Sequence, residues 1–263
     1  MRLGSAKTVA VIGGGFIGLE IATAVAAAGQ KVAVVEAAPQ ILGRSLTPSL
    51  AARVRTVHEA GGLNIISNTA VDAIRTDGIS TSDGFIEADL VICGAGSVAR
   101  AELAEKAGLT TGNGIHVNRV LETSVPGIYA IGDAACFETS TGEHRRYESV
   151  QNANDQARTL AKTLCGERTP YDALPWFWSD QGSIKLQMAG DSYGASKVVT
   201  VDGEKAPQAA AFCFNTQNHL CALETINWPA YHALSRKALS DGRVISRAHL
   251  ESADYVLKTA LKS

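Results

Sequence analysis

The sequence predicts an α/β protein that ends in a separate α+β unit. Three observations support this fold class. An apolar strand, a glycine-rich turn, a helix and a second strand follow one another within about 30 residues near the start of the chain. Short strands then alternate with Asn, Asp and Gly turns over residues 63–96. Strand-like segments followed by helical stretches fill the last third, an order typical of an α+β unit.

Composition is that of an ordinary globular protein and excludes several function classes. The chain has 263 residues, of which 46% are apolar and 19% are charged. This length suits one large domain or two smaller ones. A net charge of −2 provides no strongly basic face for nucleic acid, and no run of about 18 uncharged apolar residues predicts a membrane span.

The cysteines indicate neither a disulfide framework nor a metal site. All five are scattered and none is spaced as Cys-x-x-Cys. We therefore expect no metal and a reducing cytoplasmic compartment.

The first predicted elements form a βαβ unit. The stretch TVAVIGG is short, apolar and β-branched, which is typical of a parallel strand buried on both faces. The following FIGLEIATAVAAAG has a helical, alanine-rich pattern and ends at Gly29, a residue suited to a helix C-terminus. The stretch KVAVVE is the next strand.

A second helix and several further strands follow. Thr47 is suited to an N-cap and Pro48 to the first helical position, with Gly61 or Gly62 as the end. Residues 63–96 predict short strands, the last a buried run in ADLVICGAG. We expect this first unit to end near residue 110.

The remaining sequence predicts a different layer. GIHVNRVLETSVPGIYAIGDAA indicates a short strand, a Pro-Gly turn and a buried strand that ends in Gly-Asp, and ESVQNANDQARTLAKTLCG predicts a long amphipathic helix. TPYDALPWFWSDQGS is interpreted as a linker. The predicted strands after it are IKLQMAG, SKVVTVDG, QAAAFCFN and HLCALETIN, and the predicted helices are PAYHALSRKALSDG and ESADYVLKTALKS.

The glycine-rich turn has the spacing of a dinucleotide site. Gly13, Gly15 and Gly18 form Gly-x-Gly-x-x-Gly between strand and helix, and Gly14 lies within the same turn. These glycines permit a tight turn, close approach of a pyrophosphate and close helix–strand packing. The N-terminus of the helix attracts the negative phosphate. Together with the flanking elements, the motif predicts a Rossmann-like, NAD-binding domain.

An acid at the end of the second strand selects between nucleotides. Glu36 can accept hydrogen bonds from both hydroxyls of an adenosine ribose, and its charge would repel a 2′-phosphate. This favours NAD over NADP. Arg44 is a candidate phosphate ligand that weakens this preference.

A second polar signal lies at Gly132 and Asp133. A strand that ends in Gly-Asp can present a carboxylate to a polyol chain at the open end of a sheet. Taken alone, such a pair is more often a plain turn.

Five stretches together resemble one family. VIGGGFIGLE, ADLVICGAG, TSVPGIYAIGDAA, ESVQNANDQA and PWFWSDQ occur in the order found in FAD-dependent, NADH-using ferredoxin reductases of the pyridine nucleotide oxidoreductase superfamily. PWFWSDQ is the most specific of the five. The resemblance implies an NAD-binding domain over 1–112, the last segment of an FAD-binding domain over 113–170 and a C-terminal reductase domain over 171–263.

The resemblance also implies roles for individual residues. Asp133 would bind the ribityl chain of FAD, and Val150 and Trp178 would lie against the isoalloxazine. Glu20 would lie near the nicotinamide. For Trp178, packing within an interdomain linker is an alternative.

The NAD cleft would be lined by Gly94 and Gly96, with one departure from the family pattern. Where the family has Pro-Asn shortly after these glycines, this chain has Ala99 and Arg100. We expect the affinity for NAD or the geometry of this loop to differ from that of other members.

Family members begin with another Rossmann half that holds the ADP part of FAD, and no second glycine-rich motif is found here. A sheet that lacks those strands would expose apolar edges. We therefore expect a homo-oligomer or a complementing FAD-domain chain.

The resemblance predicts a flavoprotein oxidoreductase that passes electrons from NADH through FAD to a [2Fe–2S] ferredoxin. Two alternatives remain. One is an NAD(H)-binding module without electron transfer, and the other is a decayed or truncated product that has lost the enzymatic function and acts only through interactions. The basic residues Arg236, Lys237, Arg243 and Arg247 are candidates for contact with an acidic ferredoxin, or a solvated face.

Overall fold

The computed structural model describes residues 3–261, which divide into two compact units. Unit 1 joins the segment up to Gly96 with the segment from Trp178 onward, and unit 2 spans Ser97–Phe177. The three-domain division at residues 112 and 170 stays a prediction.

The helices and strands have the following bounds. The helices are α1 (Phe16–Ala27), α2 (Pro48–Ala60), α3 (Glu102–Lys106), α4 (Val150–Leu164), α5 (Pro229–Ser240), α6 (Arg247–Ser252) and α7 (Leu257–Ala260). The strands are β1 (Thr8–Ile12), β2 (Lys31–Val35), β3 (Leu63–Ile66), β4 (Val71–Arg75), β5 (Gly78–Thr81), β6 (Gly84–Glu87), β7 (Leu90–Cys93), β8 (Thr111–Gly112), β9 (Gly114–Val117), β10 (Ala135–Glu138), β11 (His144–Arg145), β12 (Trp176–Gln181), β13 (Ile184–Gly190), β14 (Lys197–Asp202), β15 (Ala209–Phe214) and β16 (Leu220–Ile226).

Unit 1 contains the predicted parallel sheet. Its strand order is β3-β2-β1-β7, and Ile12 at the end of β1 lies opposite Val35 on one side and Cys93 on the other. The α1 helix connects β1 to β2, which is the predicted βαβ unit. The prediction that β7 is a buried run is wrong, because β7 is an edge strand and its Cys93 is exposed. A three-stranded antiparallel sheet, β4-β5-β6, precedes β7.

The C-terminal segment of unit 1 forms an antiparallel sheet in the order β12-β13-β16-β15-β14. All six residues of β15 are buried. One face of this sheet packs with α5, α6 and α7, and the other shares a core with β1, α1 and α2. These elements confirm the predicted α/β fold with an α+β C-terminal part.

The interpretation of residues 169–183 as a linker is wrong for its second half. Residues 176–181 form β12, in which Ser179 and Gln181 are buried while Trp178 and Asp180 are exposed. The alternation is that of a strand with one face toward a core. The pairing partner is β13, the next strand in sequence.

Helix ends largely follow the predictions. The α1 helix ends at Ala27, shortly before Gly29 with φ +95°, and α2 begins at Pro48 and ends before Gly61. Thr47 occupies the N-cap position of α2, but its hydroxyl donates to Glu224 instead of accepting a bond from the helix.

The final helical stretch is shorter than predicted. Positive φ angles of +47° at Asp254 and +56° at Tyr255 interrupt it, and only α7 follows. Residues 262 and 263 of this stretch lie outside the described residues.

Unit 2 contains a small sheet in the order β11-β10-β9-β8, and its α4 helix has the predicted bounds to within two residues. The buried strand predicted before Gly132 is absent from the described part of unit 2. Ile128 and Ile131 are 42% and 36% exposed, and the only pairing described there is a bridge between Glu122 and Tyr129. An apolar run without neighbouring strands does not form a buried strand.

Candidate functional site

The glycine turn of unit 1 is built by close backbone packing. Gly13 has φ +102°, a conformation that favours glycine. A Cβ atom at Gly18 would overlap the carbonyl oxygen of Gly13, and one at Gly13 would overlap the carbonyl oxygen of Gly94. The turn therefore holds the ends of β1, β7 and the start of α1 together, as the spacing predicted.

Gly15 differs from its neighbours because the space beside it is open. It is the N-cap of α1 with φ −81°, and a Cβ atom there would meet nothing within 4 Å. Packing therefore does not require glycine at this position. The open side and the N–H groups of the first turn suit the approach of a phosphate.

The Glu36 carboxylate is fixed against the same turn. It accepts a hydrogen bond from the backbone N–H of Gly14 at 2.7 Å through Oε2 and from that of Ala38 at 2.8 Å through Oε1. A carboxylate offers about four acceptor positions. Two therefore remain for ribose hydroxyls while the backbone holds the carboxylate in place.

The other residues predicted for the NAD cleft lie on the adjoining loop. Gly94 donates its N–H to the carbonyl oxygen of Ile12 at 2.7 Å, and a Cβ atom built on it would lie 3.4 Å from the Cα of Gly18. Gly96 has φ +94°, and a Cβ atom there would lie 3.0 Å from a guanidinium nitrogen of Arg44. The structure thus brings the exposed Arg44 to the loop that carries both glycines.

Glu20 lies in the second turn of α1 and contacts a residue far away in sequence. The hydroxyl of Ser179 on β12 donates to Oε1 of Glu20 at 2.5 Å. Sequence reasoning missed Ser179. The available signal was the alternation of polar and aromatic residues in WFWSDQ, which places Ser179 and Gln181 on one face of a strand.

His58 was also missed. It lies on the buried face of α2 and is 3% exposed, and its Nε2 lies 2.8 Å from Oε1 of Gln181. Burial lowers the pKa of His58, and the hydrogen bond with Gln181 opposes that shift. The signal was the spacing of Leu50, Val54 and His58, which puts all three on one helical face.

The residues predicted to bind the FAD ribityl chain and ring edge in unit 2 lie around the start of α4. The N–H of Gly132 donates to Oε1 of Gln156 at 2.7 Å, and Arg146 donates to the carbonyl oxygen of Asp133 at 3.0 Å. Asp133 is exposed, and Val150, the first residue of α4, is 70% exposed. These bonds fix the turn that carries the exposed Asp133 carboxylate.

Trp178, the last residue predicted to contact FAD, belongs to unit 1. It lies in β12 and is 41% exposed. Exposure of so large an aromatic surface is unusual for core packing and suits contact with a ring.

The residues present fit both predicted cofactors. For NAD, the open side of Gly15 and the fixed Glu36 carboxylate match a pyrophosphate and a ribose. For FAD, the exposed Asp133 and Val150 of unit 2 suit a polyol chain and an apolar ring edge, and the exposed Trp178 of unit 1, taken by itself, suits contact with a flat ring. Which residues hold each cofactor stays a prediction.

The described residues do not form a metal site or a membrane span. Within residues 3–261, no three His, Cys, Asp or Glu side chains are placed to hold a metal ion. In the same range, none of the helices is both long enough and apolar enough to cross a membrane. A cavity of about 330 Å³ lies beside α5 and one of about 170 Å³ beside α2, and the residues that line them do not include a predicted cofactor ligand.

Comparison with known proteins assigns the chain to a family. Residues 2–157 match the model of the pyridine nucleotide-disulphide oxidoreductases. The chain belongs to this family. Residues 176–261 match a second model, the reductase C-terminal domain. The family together with this C-terminal domain confirms the resemblance to ferredoxin reductases.

Two similar proteins in this family are named as reductases of electron-transfer proteins. The chain is 38% identical over 265 residues to the 5,5'-dehydrodivanillate O-demethylase ferredoxin reductase subunit of a Sphingobium species, covering 97% of the chain and 64% of that protein. It is 38% identical over 266 residues to the rhodocoxin reductase of Rhodococcus erythropolis, covering 98% and 62% respectively.

Solved structures of family members have the same fold. A ferredoxin reductase from Rhodopseudomonas palustris matches with a TM-score of 0.92 and 39% identity, covering 98% of this chain and 66% of that one. Putidaredoxin reductase in its covalent complex with putidaredoxin matches with a TM-score of 0.90 and 34% identity, covering 97% and 63%. The chain spans between 62% and 65% of the length of the first three curated relatives.

Membership of the family confirms which cofactors were predicted, since these oxidoreductases use FAD and NAD(H).

Proposed function

We propose that this chain forms the NAD-binding and C-terminal parts of a flavoprotein that passes electrons from NADH through FAD to a [2Fe–2S] ferredoxin. The observation that carries the proposal is the Glu36 carboxylate held on the glycine turn, 2.7 Å from the N–H of Gly14. The named relatives, which include ferredoxin reductases, support the choice of reaction.

In the proposed NAD site, three groups contact different parts of the dinucleotide. The open turn at Gly15 and the N-terminus of α1 bind the pyrophosphate. Glu36 accepts hydrogen bonds from the adenosine ribose and repels a 2′-phosphate, which selects NADH over NADPH. Glu20 lies at the nicotinamide end of the bound dinucleotide.

The proposed flavin contacts come from the turn at Asp133, from Val150 and from Trp178. Asp133 accepts hydrogen bonds from the ribityl hydroxyls, while the two apolar side chains exclude water beside the ring. When bound, FAD would supply the redox chemistry, which is acceptance of hydride from NADH and delivery of single electrons to ferredoxin.

We propose further that the rest of the flavin site comes from a complementing FAD-domain chain or segment. The large exposure of Val150 in unit 2 and of Ile17 in unit 1, at 70% and 67%, supports such a partner. Apolar side chains this exposed favour burial against another surface.

The test is the visible absorption spectrum of the chain with added FAD, recorded with and without the N-terminal part of a relative such as rhodocoxin reductase. A flavin band that is retained through gel filtration and bleaches with anaerobic NADH is expected once both parts are present. Asp133→Ala should reduce flavin retention, and Asp172→Ala, a change at another exposed acid of unit 2, is the matched control. NADH binding without bleaching in any mixture would contradict the reductase proposal.

A second candidate is an NAD(H)-binding module without electron transfer. One observation favours it: every residue predicted for NAD lies in unit 1, whereas the residues predicted for FAD are divided between the two units. NADH binding by the chain alone, combined with failure to retain FAD in every mixture, is the outcome that selects this candidate.

A further inference from the structure

A buried chain of hydrogen bonds ends on the Glu20 carboxylate. Ser179 Oγ lies 2.5 Å from Oε1 of Glu20, and Gln181 Nε2 lies 3.0 Å from Ser179 Oγ. Gln181 Oε1 lies 2.8 Å from Nε2 of His58. The chain thus connects α1, β12 and α2, three elements far apart in sequence.

The chemistry of the four groups fixes the direction of every bond. A carboxylate only accepts, so the Ser179 hydroxyl donates to Glu20. The Ser179 oxygen then accepts from the amide nitrogen of Gln181, which leaves the Gln181 carbonyl oxygen to accept from His58. His58 must therefore carry a proton on Nε2.

Burial makes these bonds strong and specific. His58, Ser179 and Gln181 are 3%, 1% and 0% exposed, so water does not compete for their polar atoms. Burial also lowers the pKa of His58, which favours the neutral ring, and the Gln181 carbonyl oxygen selects its Nε2–H tautomer. Hydrogen bonds that run in one direction through a medium of low dielectric polarise and strengthen one another.

This hydrogen-bond network fixes one carboxylate oxygen of Glu20, Oε1, and leaves the other, Oε2, available to accept a hydrogen bond. Among the described residues, none donates a hydrogen bond to Oε2 of Glu20, and Glu20 is only partly buried. A network that served core packing alone would have no reason to end at a partly exposed carboxylate. The bond to Oε1 restricts rotation of the carboxylate and so limits the directions that Oε2 can take.

We infer that Ser179, Gln181 and His58 are positioning residues that orient the Glu20 carboxylate toward the nicotinamide end of bound NAD(H). The inference rests on the proposed function, in which Glu20 lies at that end. Two of these residues, Ser179 and Gln181, lie on the buried face of β12, whose exposed face carries Trp178.

The first test needs no nucleotide. Long-range ¹⁵N–¹H NMR of the histidine-labelled chain at pH 7 should show His58 as the neutral Nε2–H tautomer, and Gln181→Met should shift its Nε2 resonance. A neutral Nδ1–H tautomer, which has no proton on Nε2, would overturn the proposed hydrogen-bond directions, as would an Nε2 resonance unchanged in Gln181→Met.

The second test separates positioning from binding in general. Dissociation constants are measured for NADH and for ADP-ribose, which lacks the nicotinamide. We expect Ser179→Ala to weaken NADH binding about three- to tenfold, the usual effect of one lost hydrogen bond, and to change ADP-ribose binding less than about twofold. Ser179→Thr keeps the hydroxyl and should keep most of the NADH affinity, and thermal melting checks that both variants fold.

The outcomes distinguish this inference from the proposed function. If wild type binds both ligands and Ser179→Ala weakens both equally, or neither, the positioning role is wrong while the NAD site stands. A wild-type chain that binds neither ligand contradicts the proposed function and the positioning role together.

Discussion

The backbone N–H of Gly14 donates to the Glu36 carboxylate at 2.7 Å, which ties the selectivity residue of the proposed site to its phosphate-binding turn. The carboxylate is thereby oriented before any ligand binds. An acceptor that is already fixed loses little conformational freedom on binding.

Glu36→Ala should weaken NADH binding about fivefold or more, because ribose hydrogen bonds to a charged acceptor are lost. NADPH binding should weaken less or improve, since the repulsion of its 2′-phosphate is removed. Fluorescence titration with both nucleotides measures the change. Glu87→Ala, at an exposed acid of β6, is the matched control. An unchanged ratio of the two affinities would remove Glu36 from the site.

Substitutions at two glycines of the turn should separate ligand binding from folding. Gly15→Ala meets open space and φ −81°, so the free energy of unfolding should change by less than about 1 kcal/mol while NADH binding weakens several-fold. Gly18→Ala overlaps the Gly13 carbonyl and should cost about 1–3 kcal/mol of stability. Urea unfolding and NADH titration of both variants make the comparison. Full NADH affinity in Gly15→Ala would contradict the pyrophosphate assignment.

Glu224 provides a pH-dependent link between β16 and the start of α2. Its buried carboxylate accepts from the backbone N–H of Thr47 at 2.9 Å and from the Thr47 hydroxyl at 2.8 Å. Burial raises the pKa of Glu224, and the bonds from Thr47 oppose this shift only in part.

An acid whose pKa is higher in the folded state destabilises the fold as pH rises. Stability should therefore fall from the ordinary pKa of glutamate, about 4.3, up to the pKa of Glu224 in the folded chain. Glu224→Gln cannot ionise and should lack this part of the slope. Urea unfolding of both chains between pH 4 and 7 measures it, and parallel pH profiles would contradict the account.

His58 should give the opposite dependence. Burial lowers its pKa, so the stability it contributes is present above its ordinary pKa of about 6.5 and is lost as pH falls. Burial also lowers the pKa values of His116 and His232, so only a comparison with His58→Gln isolates its share. Wild type should lose more stability than the variant between pH 7.5 and 5.5, and an equal loss would contradict this role.

Local patterns were sufficient for the parallel sheet and its turn. The β1–α1–β2 unit, the helix beginning at Pro48 and the glycines that line the turn all follow from spacing and residue type over short distances. Short-range sterics decide these features, so the sequence expresses them directly.

Features that depend on pairing and packing partners were not predicted. Residues 169–183 resemble a linker because they contain prolines and tryptophans, yet residues 176–181 pair with the next strand, β13, and form β12. His58 has no sequence neighbour that suggests a role, and only the fold brings it to Gln181. Ile128 and Ile131 show the converse, since an apolar run without partners remains exposed.

Isothermal titration of the chain with NADH, with NADPH as competitor, measures whether the Glu36 carboxylate on the glycine turn selects NADH. We expect one NADH site per chain with an affinity at least about tenfold higher than for NADPH, because the fixed carboxylate meets a ribose in one case and a phosphate in the other. No heat of binding, or equal affinity for the two nucleotides, would contradict it.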